Sequence, residues 1–128
     1  MTMWTRDELS TIGSADEVRI APLRKNGSMP KSVTIWIVRV GDDLYVRSAY
    51  GRDSSWFRGA QEHHKGTIHV GSLTKDVIFI DADPKLSNEV DGAYRNTYRS
   101  HGETYVNMMV SQTACSATIK IVPNSPRR

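Results

Sequence analysis

The sequence has a single cysteine, Cys115, among its 128 residues. An internal disulfide is therefore impossible, which excludes a disulfide-framed secreted domain and favours a reducing compartment. No apolar run approaches the roughly 20 residues that a membrane-spanning helix needs. The residues after Trp4 are polar and acidic, unlike the basic and then apolar pattern of a signal peptide. We therefore expect a cytoplasmic protein that does not associate with membranes.

Charge of one sign is also scarce. The 17 Lys and Arg residues are nearly balanced by 14 Asp and Glu residues, which leaves a net charge of +3. Two of these positive charges lie in the tail at residues 124–128, which we expect to be frayed. A nucleic-acid-binding protein usually carries a much stronger basic cluster, so we expect no nucleic-acid partner. Small molecules remain the favoured partners, because a local cluster of charges is enough to bind them.

The hydrophobic pattern predicts one domain over residues 1–128, with about six short strands and several helices. Strands are predicted at residues 16–23, 32–40, 44–50, 66–71, 75–82 and 116–123, and helices at 5–12, 53–64, 84–98 and 104–110. Most strands are joined by tight turns, without the regular strand–helix alternation of a parallel sheet. We therefore predict a mainly β (α+β) fold: a small, mostly antiparallel barrel with helices packed outside it.

Three local patterns support this organisation. Thr5 and Glu8 have the spacing of a capping box at a helix start. Residues 32–40 are apolar on both faces, which predicts a single strand buried on two sides. Asp83 followed by Pro84 predicts the start of a helix. The apolar face predicted for that helix contains Leu86, Val90, Ala93, Tyr94, Thr97 and Tyr98.

The stretch "SAYGRDSSWFRGAQEHHKGTIHVG", residues 48–71, combines glycines, aromatic residues and three histidines. His63 and His64 are neighbours near a helix end, and adjacent helical residues diverge by about 100°, so they are poorly placed to bind one metal ion. We expect this pair to end the helix, with a ring N–H near its last carbonyl groups. Metal ligation and acid–base catalysis by one histidine are the alternatives, and no metal site is predicted.

A resemblance to known families extends this interpretation. Residues 20–79 run through a basic loop with a glycine, an apolar strand, an acidic hairpin, a strand leading to Ser48, a glycine turn, a helix that starts near Trp56, and "TIHVG". This order resembles the deazaflavin-dependent nitroreductases of the flavin-binding split-barrel superfamily. "WTRDELSTIGSADEVRIAPLR", "VDGAYRNTYRS" and "TIKIVP" carry a closer resemblance, over residues 4–123, to domain-of-unknown-function family 2255.

The resemblance implies a small antiparallel split β-barrel and a flavin-type cofactor, either FMN or a deazaflavin. Three places depart from the nitroreductase pattern: the basic loop has Leu23 before Arg24 and Lys25 where the family reads Gly-Arg-Lys, Ser54 replaces a proline, and Gly59 replaces an asparagine. The alternative is therefore a protein that retains no cofactor. In either case the apolar strands in so short a chain predict a homodimer, because one barrel interior cannot cover every apolar face.

Physical chemistry suggests which residues would hold such a cofactor. Arg24, Lys25 and Lys31 flank Gly27 and could bind an anionic tail, or they could form a solvated turn. Trp36, Tyr50 and Trp56 could line an apolar slot for a flat ring, or they could belong to the core. Ser48 and Ser55 could donate to ring carbonyl groups, or they could act as turn and cap residues. Gly51 would let the chain approach the ligand closely.

The favoured function is that of a flavin- or deazaflavin-dependent oxidoreductase that acts on a small organic substrate. Aromatic and quinone-like molecules are among the substrates that we consider. A cofactor-free cyclase or isomerase for an aromatic metabolite, and a ligand-binding module without catalysis, are the alternatives. The catalytic candidates are Tyr50, His63 and His64. We expect residues 48–58 to form a wall of the pocket, with one of these histidines near its far edge.

Overall fold

The computed structural model describes residues 4–13, 18–22, 33–49 and 51–124, with Asp53, Ser55 and His101 described by their backbone alone. Seven strands form one sheet in this part of the chain, and every neighbouring pair is antiparallel. The strands are β1 (Val18–Pro22), β2 (Val33–Ile35), β3 (Ile37–Val40), β4 (Asp43–Arg47), β5 (Lys65–Val70), β6 (Leu73–Asp81) and β7 (Thr118–Pro123).

Five α-helices pack around the sheet. They are α1 (Arg6–Gly13), α2 (Ser55–His63), α3 (Ser87–Thr97), α4 (Glu103–Met109) and α5 (Gln112–Cys115). All but the short α5 were predicted from the sequence. Among the residues that the structure describes, no helix combines the length and the apolar character needed to cross a membrane.

The sheet closes into a barrel through the chain around Trp36. Its strand order is β2-β1-β5-β6-β7-β4-β3, so β2 and β3 form opposite edges although only Trp36 separates them in sequence. One continuous stretch of chain thus joins both edges and curls the sheet into a nearly closed antiparallel barrel. This confirms the predicted barrel, but the prediction of one strand at residues 32–40 is wrong. The chain leaves the ladder at Trp36, and Val33 is 41% exposed instead of buried.

Apolar side chains from the strands, α1 and α2 fill the inside of the barrel; we call them the barrel core. Buried residues alternate with partly exposed ones along β7, where Ile119 and Ile121 point inward as predicted. The barrel core consists of Trp4, Leu9, Ile12, Val18, Ile20, Ile35, Ile37, Leu44, Val46, Phe57, Ala60, Ile68, Val70, Val77, Phe79, Ala117, Ile119 and Ile121.

The predicted capping box forms at the start of helix α1. The Glu8 N–H donates to Thr5 Oγ1 (3.1 Å), and the Thr5 N–H donates to Glu8 Oε1 (2.9 Å). Just before the helix, the Trp4 indole N–H donates to the Ile121 carbonyl (2.9 Å). This indole bond attaches the start of the described chain to the last strand.

Helix α3 packs on the outside of the barrel and forms a second cluster, which we call the α3 cluster. Its buried members are Val38, Tyr45, Val90, Tyr94, Tyr98, Val106 and Met109. Asp83 accepts a hydrogen bond from the Lys85 N–H (3.0 Å) and caps a single 3₁₀ turn that leads into the helix. The predicted apolar face is right except for Thr97, which is exposed because the buried face follows i, i+4 steps from Val90 to Tyr98.

Candidate functional site

An apolar cleft of about 490 Å³ lies at the split of the barrel, next to Trp36. It is formed where β2, the end of β4, the start of α2 and helix α4 meet. Its size is within the range of small-molecule sites, and most of its lining is apolar. The lining residues are Val33, Thr34, Ile35, Trp36, Arg47, Ser48, Ala49, Ser54, Trp56, Tyr105, Met108 and Met109.

Two tryptophans on different elements line this cleft. The Trp36 ring stacks on Tyr98 of the α3 cluster, with centroids 4.3 Å apart and planes 4° apart. Tyr105 meets Trp36 edge-on at 6.2 Å, and 60% of Tyr105 is exposed. Trp56 meets Phe57 edge-on at 5.9 Å. Neighbouring aromatic rings therefore hold both tryptophans, and a flat ligand could contact their rings.

The polar part of the cleft is a pair of serine hydroxyls. Ser48 is almost fully buried, and its Oγ lies 2.7 Å from Ser54 Oγ. Ser54 is the N-cap residue of α2, yet its side chain makes no capping bond because it is turned toward Ser48. First-turn N–H groups of a helix attract anions and carbonyl oxygens. This corner of the cleft can therefore bind a polar edge of a mainly apolar ligand.

A buried tyrosine hydroxyl holds the backbone at the split. The Arg47 N–H donates to Tyr94 Oη (2.9 Å), and the Tyr94 hydroxyl donates to the Trp36 carbonyl (2.7 Å). Burial raises the pKa of Tyr94 far above its usual value, so the hydroxyl stays protonated and remains a donor. One turn later, the Tyr98 hydroxyl donates to the Ile37 carbonyl (2.6 Å). Tyr94 and Tyr98 thus bond to two successive carbonyl groups, those of Trp36 and Ile37.

Arg47 borders the cleft, but its guanidinium group is fully buried and bonded elsewhere. It forms an ion pair with Asp91 and donates to Thr118 Oγ1 (2.9 Å) and the Met109 carbonyl (3.0 Å). Its remaining nitrogen faces both oxygens of Ser87 at 3.2 and 3.3 Å. The five N–H groups of an arginine are thereby matched by five acceptor atoms. Arg47 links β4 to α3, α4 and β7 and leaves no donor for a ligand.

The structure brings three of the predicted binding residues together. Trp36, Ser48 and Trp56 all line the cleft, on three different elements. Gly51 does not line it; its backbone is in the left-handed region (φ 81°), and a Cβ there would lie 2.8 Å from Thr113 Cγ2. Arg24, Lys25, Gly27, Lys31 and Tyr50 lie outside the described residues, and of Ser55 only the backbone is described.

The two neighbouring histidines lie away from the cleft. His63 is the last residue of α2, and His64 follows in the left-handed conformation (φ 59°). The His64 ring approaches the Phe79 carbonyl on β6 (Nδ1–O 3.3 Å), so it contacts a strand and not the last helical carbonyl groups. Neither residue is among the described lining of the cleft. The described chain also contains no group of three His, Cys, Asp or Glu side chains that could hold a metal ion.

Sequence reasoning missed the side of the cleft formed by α4. Tyr105, Met108 and Met109 lie on a helix that was predicted, but no motif marks them as lining a site. The exposed aromatic ring of Tyr105 could not be recognised from an i, i+4 pattern alone. Tyr94 was predicted to be a core residue, and its hydrogen bonds with the Arg47 N–H and the Trp36 carbonyl have no local sequence signal.

The described lining suits an uncharged flat ring better than a phosphate group. Apolar and aromatic side chains predominate, two hydroxyls form a polar corner, and the one cation, Arg47, is fully bonded. A flavin-type ring therefore fits these residues. Within the described lining, no cation remains for an anionic tail. Val33, the first described residue after the basic loop, belongs to the lining.

Solved structures share the fold of this chain. A conserved hypothetical protein from Mycobacterium tuberculosis has a TM-score of 0.64 at 10% identity, with 98% of this chain and 83% of the other covered. An F420 reductase has a TM-score of 0.54 at 12% identity, covering 91% and 93%. An FAD-binding protein from Mesorhizobium loti has a TM-score of 0.52 at 12% identity, covering 98% and 92%. These similarities confirm the split-barrel fold.

At the level of sequence, no curated protein matches this chain significantly. A family model, described as "Uncharacterized protein conserved in bacteria (DUF2255)", matches residues 8–121. This match confirms the closer resemblance that the motifs of α1, α3 and β7 predicted. The chain, with its split barrel and apolar cleft, therefore belongs to family DUF2255.

Proposed function

We propose that the cleft at the split of the barrel binds the ring of a flavin-type cofactor, FMN or a deazaflavin, and that the protein is an oxidoreductase for a small organic substrate. The observation that carries this proposal is the convergence of Trp36, Trp56 and the Ser48–Ser54 pair on one apolar cleft. The fold shared with an F420 reductase and an FAD-binding protein supports it.

The side chains of the cleft would have separate tasks in this function. Trp36 and Trp56 would contact the faces or edges of the ring, and the serine pair would hydrogen-bond to its polar edge. Tyr105 and Met108 would shield the reacting side from water and leave room for a small apolar substrate. A bound flavin or deazaflavin would supply the hydride chemistry, and the protein would position and enclose it.

The anionic tail of the cofactor would be bound by the basic loop before β2. Arg24, Lys25 and Lys31 are the sequence-based candidates, and the loop leads directly into Val33 at the cleft. This assignment predicts different affinities for ligands with and without a phosphate group. Riboflavin has the same ring as FMN but no phosphate, so it would bind through the described cleft alone.

The direct test is a titration of the purified protein with FMN, F420 and riboflavin, in which binding is measured by absorbance and by equilibrium dialysis. We expect saturable binding of FMN or F420, and weaker binding of riboflavin. Changing Arg24 and Lys31 together to Ala should weaken FMN binding, most clearly at low salt, and leave riboflavin binding unchanged. Absence of binding for all three ligands would rule out the flavin proposal. Turnover of an aromatic metabolite without any of these ligands would favour the cofactor-free alternative.

We also propose that two chains associate as a homodimer. Val33 and Tyr105 are large apolar residues that are 41% and 60% exposed, and both border the cleft. A partner chain that covers them would remove apolar surface from water and narrow the opening of the cleft. Sedimentation velocity should show a dimer, and a monomer at every concentration tested would contradict this proposal.

A further inference from the structure

The hydrogen-bond ladder between β3 and β4 lacks one residue pair that could have extended it toward the cleft. Its last pair is Ile37 opposite Val46, so the next would be Trp36 opposite Arg47. The Ser48 N–H donates to the Ala117 carbonyl on the β7 side (3.1 Å). Because N–H groups alternate in direction along a strand, the Arg47 N–H points toward β3. In a continuing ladder it would donate directly to the Trp36 carbonyl.

The Tyr94 hydroxyl takes the place of that direct bond. It accepts from the Arg47 N–H (2.9 Å) and donates to the Trp36 carbonyl (2.7 Å), and Tyr94 is fully buried. An oxygen atom therefore lies between two groups that would otherwise bond to each other. The two strands separate at this point, and the cleft opens between Trp36 on one side and Ser48 on the other.

From this geometry we propose that Tyr94 is a positioning residue, whose hydroxyl holds β3 and β4 apart and so sets the width of the cleft. The identity of the ligand rests on the flavin proposal above, but the separation of the strands does not. Removing the hydroxyl would take from the buried Arg47 N–H the acceptor that it has in this structure, and from the Trp36 carbonyl the donor that bridges it to Arg47. The least costly remedy is to form the missing ladder bond, which draws the strands together and narrows the cleft.

Tyr98, the C-cap residue of α3, provides a matched control one turn after Tyr94. It is also buried, and its hydroxyl also donates to a carbonyl group, that of Ile37 (2.6 Å). That bond lies outside the β3–β4 ladder: backbone groups alternate in direction along a strand, so the Ile37 carbonyl points away from β4 when the Trp36 carbonyl points toward it. Tyr98→Phe therefore makes the same chemical change as Tyr94→Phe and destabilises the fold in a similar way, but it leaves the separation of the strands intact.

The test combines a structural and a binding measurement on wild type, Tyr94→Phe and Tyr98→Phe. The structural readout is the NMR coupling through the hydrogen bond between the Arg47 amide nitrogen and the Trp36 carbonyl carbon. We expect this coupling to appear only in Tyr94→Phe. Affinity for FMN should fall by about tenfold or more in Tyr94→Phe, and by less than about threefold in Tyr98→Phe.

Three results would overturn the inference. One is a direct Arg47–Trp36 coupling in the wild-type protein, which needs no variant to be folded. Another is a Tyr94→Phe protein in which water replaces the hydroxyl and the strands stay apart. The third is an equal loss of FMN affinity in both variants. If the wild-type protein binds no FMN, the flavin proposal fails for that ligand, and the coupling alone decides the role of Tyr94.

Discussion

The barrel core and the α3 cluster are built on different principles. Among the buried members of the barrel core, the one polar group is the Trp4 indole, and the rest is aliphatic or phenyl surface. The α3 cluster contains three tyrosines, and the hydroxyls of Tyr94 and Tyr98 donate to the carbonyl groups of Trp36 and Ile37. The ion pair between the fully buried Arg47 guanidinium and the partly buried Asp91 joins the same helix to β4.

This difference explains why the cleft lies beside the α3 cluster. Apolar packing is non-directional, so it can close a barrel but cannot hold two strands at a chosen separation. Hydrogen bonds and ion pairs are directional and costly to leave unmade, so they can. The barrel core therefore provides the general stability of the fold, and the polar contacts of α3 provide the shape of the site.

The strongest test of this contrast is removal of Asp91. Asp91→Ala leaves the Arg47 guanidinium buried without its carboxylate, which should lower the free energy of unfolding by about 3–5 kcal/mol. Asp42→Ala is the control, because Asp42 faces Arg39 at 3.9 Å in a largely exposed ion pair. That change should cost less than about 1 kcal/mol. Urea denaturation measures both, and equal losses would contradict a special role for the buried pair.

The close packing of the barrel can be tested at Gly66 on β5. A Cβ at this position would lie 2.6 Å from the Ala21 carbonyl oxygen and 2.8 Å from the Phe79 ring. Gly66→Ala should therefore destabilise the protein by about 1–3 kcal/mol. Gly92 on α3 has no atom within 4 Å of such a Cβ. Gly92→Ala should instead stabilise the helix by up to about 1 kcal/mol. Thermal denaturation should show a lower Tm for Gly66→Ala and a higher Tm for Gly92→Ala. Changes in Tm of the same sign would disprove the packing argument.

On the cleft side, Trp56 should affect ligand affinity. If a flat ring stacks on it, Trp56→Ala should weaken FMN binding by about 1–3 kcal/mol, by analogy with the stacking of bases on aromatic side chains. Arg58→Ala is the control, since Arg58 is exposed on the same helix and does not line the described cleft. Fluorescence titration gives both dissociation constants. An unchanged affinity in Trp56→Ala would remove this residue from the proposed site.

The smallest effect is expected at Glu8, where α1 meets the barrel. Burial alone raises the pKa of Glu8. The Lys75 ammonium group (2.8 Å) and the Thr5 N–H lower the pKa by more than burial raises it, so the net shift is downward from 4.5. A lowered pKa means that the carboxylate stabilises the fold above pH 4.5 and loses this effect as the pH falls through the lower, folded-state pKa.

Glu8→Gln should therefore cost less than about 1 kcal/mol near neutral pH, and less still in acid. The measurement is the difference in free energy of unfolding between wild type and variant over a series of pH values. A difference that grows in acid would contradict the sign of the pKa shift.

The elements of the barrel could be predicted because the sequence signals that mark each strand and helix are local. Alternation along β7, the capping box at Thr5 and Glu8, and the Asp83–Pro84 start all depend on neighbouring residues. The break at Trp36 could not be predicted, because the stretch on both sides is apolar and β-forming. At the break, the Trp36 carbonyl accepts a hydrogen bond from the Tyr94 hydroxyl, and Tyr94 is 58 residues away in sequence.

The candidate site was predicted in part for the same reason. Trp36, Ser48 and Trp56 lie in or near motifs and were found, and all three line the cleft. Tyr105 and Met108 reach the cleft only through the packing of α4. His63 and His64 were predicted as catalytic candidates, yet the described lining of the cleft contains neither of them.

The most direct test of the central claim uses the three tryptophans as internal reporters. Trp36 and Trp56 line the cleft, whereas the Trp4 indole N–H is bonded to Ile121 in the barrel core. A titration of ¹⁵N-labelled protein with FMN, and in parallel with F420, follows all three indole N–H signals. We expect one of these ligands to shift the Trp36 and Trp56 signals together and saturably, and to leave the Trp4 signal in place. Signals that all stay in place with both ligands, or a shift of Trp4 alone, would contradict a flavin-type site in this cleft.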